Sequence, residues 1–129
     1  MKVLLSIKPE FVSKILEGTK RYEFRKGIFK NTSVTSVVIY STLPVGQIVG
    51  EFHIKGVLQD KPHSIWEQTE SFSGISKKFF DKYFQERNTA YAIEIGRVIK
   101  YDEPISLKEF SEKIGKNITA PQSYCYLPS

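Results

Sequence analysis

The period of apolar and polar positions changes repeatedly along the chain, and each change predicts an element. Lys2 to Ile7 is apolar and β-branched enough for a short buried strand, after which Pro9 fits the first position of a helix. Phe11, Val12, Ile15 and Leu16 fall on one face of that helix, and Gly18 stands where a left-handed cap would close it. Lys8 is its expected N-cap, an unusual choice beside the positive end of a helix dipole. From Arg21 the period becomes two, with Tyr22 and Phe24 on one side and Arg21, Glu23 and Arg25 on the other. A strand reaching back to Lys20 would aim that lysine into the core with the aromatics. Lys20 is therefore placed in the turn after Gly18, on the side of Glu23 and Arg25.

Val34 to Ser41 predicts a strand ended by Leu43-Pro44, and Gln47 to Leu58 another, broken or bulged at Gly50 or Gly56. Pro62 to Thr69 reads as a short helix burying Ile65 and Trp66, followed by a loop over Ser71 to Gly74. Ser76 then caps a helix carrying Phe79, Phe80, Tyr83 and Phe84 on one face, with Ile75 and Phe80 as a hydrophobic staple and Lys77 and Lys78 in its first turn. Ala90 to Tyr101 is the longest predicted strand, expected in the middle of the sheet. Ser106 to Glu109 matches a capping box opening a helix through Phe110 that Gly115 can close, and Ile118 to Tyr124 reads as extended. Strands and helices do not alternate as a doubly wound sheet requires. The pattern predicts a single α+β domain over residues 1–129, a small, mostly antiparallel β-barrel with short helices covering its ends.

Composition narrows the function classes. At 129 residues, 40% apolar and 26% charged, the chain can bury a core without staples, and the lone Cys125 forms no internal disulfide. His53 and His63 have no partner at zinc-ligand spacing, so neither a metal nor a cofactor is expected. The N-terminal apolar run is too short for a signal peptide and no segment is long enough to span a membrane, which points to an intracellular, cytoplasmic protein. Oligomeric state is not legible.

Charge sharpens the picture. Residues 1–30 hold eight basic and three acidic side chains while the remainder is balanced, so the whole net charge of +5 lies in the first segment. Such a concentration attracts anionic partners. Lysines at two helix starts, Lys8 and the Lys77-Lys78 pair, would favour a bound phosphate; the alternative is that surface lysines tolerate a poor position at small cost. Glu23 lies two residues before Arg25 and could hold its guanidinium flat while leaving donors free for phosphate or a base edge; the alternative is an ordinary ion pair. Most aromatics are explained as core by their spacing, leaving Tyr40, Trp66 and Tyr124 unassigned. No nucleophile elbow or phosphate loop is present. Catalysis would need Lys20 as base, Thr19 or Ser41 as hydroxyl, and Glu23, Glu51 or Glu70 as acid.

Gly18-Thr-Lys20-Arg-Tyr-Glu23-Phe-Arg25 resembles the signature Gly-x-Lys-x-x-Glu-x-Arg of the ASCH domain family, within the PUA-like superfamily. Further segments resemble stand-alone prokaryotic and phage-type members: Leu4-Leu-Ser-Ile-Lys-Pro9, Ile39 to Pro44, Ile48 to Phe52, Ser73 to Ser76, Tyr91 to Ile93 and Ala120 to Tyr124. The resemblance implies a PUA-like barrel with a cleft that binds RNA or another nucleic acid, and it carries Lys20, Glu23 and Arg25 over as cleft residues. Lys8, Ser41, Thr42, Ser76 and Gln122 are added because they sit at turns or strand ends within the matching segments. Some small relatives remove an acetyl group from N4-acetylcytidine, but they carry threonine where this chain has Glu23. The reading is a nucleic-acid-binding module for RNA or a nucleotide-like anion. The alternatives are a hydrolase acting on a modified nucleoside or on RNA, using Lys20 with Glu70 or Glu51, and a protein-interaction module in transcriptional regulation.

Overall fold

The computed structural model describes residues 1–128. Six strands form one mixed sheet curled into a half-barrel: β1 (Lys2–Ile7), β2 (Tyr22–Arg25), β3 (Ser36–Ser41), β4 (Gln47–Asp60), β5 (Ala90–Ile105) and β6 (Cys125–Tyr126), in the order β2-β5-β4-β3-β1-β6. Four α-helices complete an α+β fold: α1 (Pro9–Glu17), α2 (Pro62–Thr69), α3 (Lys77–Tyr83) and α4 (Leu107–Ile114). The β1–β3 pair is parallel and the other neighbours are antiparallel. β4 and β5 are long, and their pairing shifts register at Ile48/Gly50, Phe52/Ile54 and Ile54/Gly56. Each shift adds local twist, which curls the sheet around the helices.

The apolar runs in β1 and β3 reflect a sheet covered on both faces. Val3, Leu5, Ile7, Val37 and Ile39 pack towards Val12 and Ile15 of α1. Leu4, Val38 and Tyr40 point the other way, to Ile118 and Leu127, with Leu107, Phe110 and Ile114 of α4 beside them. A third cluster joins Phe24 of β2 and Ala90 and Ala92 of β5 to Ile65 and Trp66 of α2 and Phe80 and Phe84 of α3. Trp66 and Tyr40 are thus core residues.

The helix ends follow the expected signals. Lys8 precedes α1 without a side-chain cap, and Gly18 closes it in the left-handed conformation at φ 88°. Ser76 accepts from the Phe79 amide and Ser106 from the Glu109 amide. The expected boundaries move in several places: β3 starts at Ser36 rather than Val34, β4 runs on to Asp60 and β5 to Ile105, α4 extends past Phe110 to Ile114, and the tail adds strand β6 against β1. Two residues of pairing are too short to leave a periodic signal.

Candidate functional site

The end of β1, the starts of α1 and α3, and β2 enclose a cleft of about 190 Å³. Phe11, Phe24, Phe79 and Tyr83 supply aromatic walls, and Lys8, Lys20, Glu23 and Arg25 supply the polar groups. The two helix starts meet here. The Phe11 and Phe79 rings stand edge to face with centroids 5.3 Å apart, and the Lys8 ammonium lies 5.3 Å from the centre of the Phe79 ring.

Lys20 is the unusual component, because only 2% of it is exposed. Its ammonium donates to the Ser73 carbonyl at 2.6 Å and sits over the rings of Phe24 and Phe11, at 4.8 and 5.2 Å from their centroids. The expectation that a turn would hold it apart from the aromatics is corrected. The turn forms, yet the long stem lets the head reach the rings and still line the cleft beside Glu23 and Arg25. Burial lowers its pKa from 10.5 to about 8; the negative Glu23 works against that shift, and Lys14 and Arg25 add to it.

Glu23 is also buried, at 6% exposure. Its Oε2 accepts from Arg25 Nε at 3.0 Å and lies 2.9 Å from Arg25 Nη2. Arg25 Nη2 donates to the Ser6 carbonyl at 2.9 Å, and Nη1 to the Ser123 carbonyl at 3.3 Å. The guanidinium is held flat, as expected, but most of its donors are used internally. One N–H of Nη1 has no partner among the described residues. Burial pushes the Tyr83 phenol above its ordinary pKa, against the positive Arg25.

The other sequence candidates are spread around this cleft. Ser76 is occupied as the cap of α3. Gln122 lies in an adjoining groove of about 430 Å³ that shares Arg25 and Tyr83 with the cleft. Ser41 is buried at the end of β3, and Thr42 follows it with its amide bonded to the Ile7 carbonyl; neither lines the cleft. Glu70 opens an exposed 3-10 turn over Glu70–Phe72, also outside the cleft. Glu51 is paired with Lys2 at 2.7 Å and accepts from Tyr101 at 3.0 Å. In the cationic first turn of α3, Lys77 pairs with Asp81 at 2.8 Å and Lys78 is exposed; neither lines the cleft. Helical spacing had assigned Phe11, Phe79 and Tyr83 to the core; the signal for Phe11 and Phe79 as wall residues was their position at two helix starts that also carry lysines, while Tyr83, at the end of α3, gave none.

The ASCH domain family model matches residues 5–116. The chain belongs to the ASCH domain family. This ASCH domain is 28% identical over 128 residues to an ASCH domain-containing ribonuclease of Zymomonas mobilis, covering 98% of this chain and 84% of that protein. The crystal structure of ASCH from Zymomonas mobilis superposes with a TM-score of 0.90 at 26% identity, over 99% of this chain and 88% of that one. The half-barrel is accordingly the PUA-like architecture the motif implied. A 94-residue stretch is 33% identical to large ribosomal subunit protein uL22 of Ureaplasma parvum, spanning 73% of this chain but only 29% of that protein. No helix is long and apolar enough to cross a membrane, and no group of three or more His, Cys, Asp or Glu among the described residues could hold a metal ion.

Proposed function

We propose that this ASCH domain binds single-stranded RNA by taking one nucleotide into the cleft around Lys20. The observation that carries the reading is the convergence of Lys20, Glu23 and Arg25 with four aromatic walls. Unstacked bases are recognised by stacking on aromatic rings and by hydrogen bonds to their edges. Exposed Lys8 supplies phosphate attraction at the mouth. The ribonuclease name of the Zymomonas relative supports RNA as the class of partner.

Anisotropy of a labelled single-stranded RNA tests this. Affinity falls as salt rises, and Phe79→Ala and Lys8→Ala weaken it. Binding indifferent to both variants would remove the cleft from the account.

A second reading, cleavage of the bound RNA, is favoured by one observation: Lys20 lines the cleft while buried against Phe11 and Phe24, and that burial lowers its pKa to about 8. A lysine tuned towards neutrality can accept a proton from a ribose 2′-hydroxyl, which then attacks the adjacent phosphate and expels the 5′-oxygen, water supplying the proton with which it leaves as a hydroxyl. Products ending in a 2′,3′-cyclic phosphate would establish it.

A further inference from the structure

Beside the cleft lies the groove of about 430 Å³, bounded on one side by the turn after β2 and on the other by Gln122, Ser123 and Tyr124. Arg25 and Tyr83 line both cavities, so the two are neighbours across a common wall. That wall carries positive charge. The exposed Lys26 holds its ammonium 4.7 Å from the centre of the Tyr83 ring, and the Arg25 guanidinium, whose Nη1 donates to the Ser123 carbonyl, lines the same wall. Gln122 is exposed, and its side-chain amide has no hydrogen-bond partner among the described residues, which leaves both a donor and an acceptor for a base edge. Tyr124 is half-buried and fixed by edge contacts to Phe29 and Tyr126, with centroids 6.0 and 5.2 Å away. It is a rigid aromatic surface rather than a free side chain.

Two adjacent cavities, each with an aromatic ring and separated by cations, match the repeat of a nucleic-acid strand: base, phosphate, base. We infer that the groove is a second nucleotide subsite, with Lys26 and Arg25 on the linking phosphate and Tyr124 and Gln122 on the neighbouring base. The inference rests on the cleft taking a nucleotide, as proposed above. It makes the preferred ligand at least two linked nucleotides, and it gives the strand a fixed path across β2 from the start of α1 to the C-terminal segment. Lys26, which lies outside the eight-residue motif, becomes a specificity residue for length.

Competition against labelled RNA by uridine monophosphate and by the dinucleoside monophosphate UpU separates the possibilities. UpU carries less phosphate charge than the mononucleotide, so a gain cannot come from charge alone. UpU competes at least about fivefold better on wild-type protein, and Tyr124→Leu removes the gain without weakening uridine monophosphate. Lys26→Ala, a change at an exposed position, reduces the same gain and guards against a folding defect in the tyrosine variant. Equal competition by the two ligands, or a gain untouched by both variants, overturns the second subsite while leaving the cleft. Failure of both ligands to compete overturns the cleft reading and the subsite together.

Discussion

A Cβ placed on Gly74 would stand 2.6 Å from both Cβ and Cγ of Lys20. The glycine is also left-handed, at φ 70°, and its carbonyl accepts from Lys14 at 2.9 Å while the preceding Ser73 carbonyl accepts from Lys20. The loop before α3 is thus shaped around the lysine stem. Gly74→Ala is expected to destabilise the fold by roughly 2 to 4 kcal/mol, from backbone strain and overlap together. In a Lys20→Ala background the overlaps with Cγ and Cδ are gone while Cβ and the backbone strain remain, so the cost of Gly74→Ala should fall by roughly 1 kcal/mol without vanishing. Urea denaturation of the four proteins measures the difference; full additivity would mean the two residues are not in contact.

Lys20 itself should reduce stability. Its folded pKa of about 8 lies below the ordinary 10.5. Below pH 8 both states are protonated and the folded state bears the whole burial cost. Between pH 8 and 10.5 the unfolded lysine keeps a proton that the folded one has released, so stability rises with pH across that window. The total is on the order of 3 kcal/mol. Lys20→Met removes this term but leaves the Ser73 carbonyl unpaired and loses the ring contacts, so a gain of about 1 kcal/mol at pH 7 is expected. The advantage of Lys20→Met over wild type should shrink from pH 8 upwards and reverse before pH 10.5, as the wild type recovers its burial cost. A variant that is less stable at pH 7 would mark Lys20 as a structural residue.

Arg25 ties β2 to the carbonyls of Ser6 and Ser123 and neutralises Glu23. Both side chains are mostly buried, at 15% and 8% exposure. Arg25→Lys cannot reproduce three divergent bonds, and a loss of about 2 to 3 kcal/mol is expected. Thermal unfolding provides the check. A loss below 0.5 kcal/mol, roughly the scale of an exposed pair, would show that the clamp is not formed.

If the cleft also cleaves RNA with neutral Lys20 as base, the rate should climb about tenfold per pH unit below the lysine's pKa and level off above it. Glu23→Gln removes the negative charge that holds the pKa up, so the inflection should move to lower pH. Single-turnover rates from pH 6 to 9.5 test this. Cleavage retained in Lys20→Met would assign the chemistry to other groups.

Elements with a strong period or a cap were legible in the sequence: α1 between Pro9 and Gly18, α2 burying Ile65 and Trp66, and α3 and α4 behind Ser76 and Ser106. The bends of β4 were readable from Gly50 and Gly56. Strand β6 was not, because it owes its form to pairing with Val3 and Leu4 rather than to local preference. Within the cleft, the motif indicated Lys20, Glu23 and Arg25 as neighbours. Period alone could not show that Lys20 folds back over Phe11 and Phe24, nor that Arg25 spends its donors on Ser6 and Ser123. Both depend on segments that are distant in the chain, Ser73 for the lysine head and Ser6 and Ser123 for the guanidinium, as does the opposition of Phe11 and Phe79.

The claim that RNA enters this cleft is tested most directly by photocrosslinking. A short single-stranded RNA carrying 4-thiouridine would be irradiated with the protein and the attached residues mapped by peptide mass spectrometry. Crosslinks at Phe11, Phe79 or Tyr83, suppressed by unlabelled RNA, are the predicted result. Crosslinks confined to other surfaces, such as the exposed face of β4 around His53 and Lys55, or no specific crosslink at all, would contradict it.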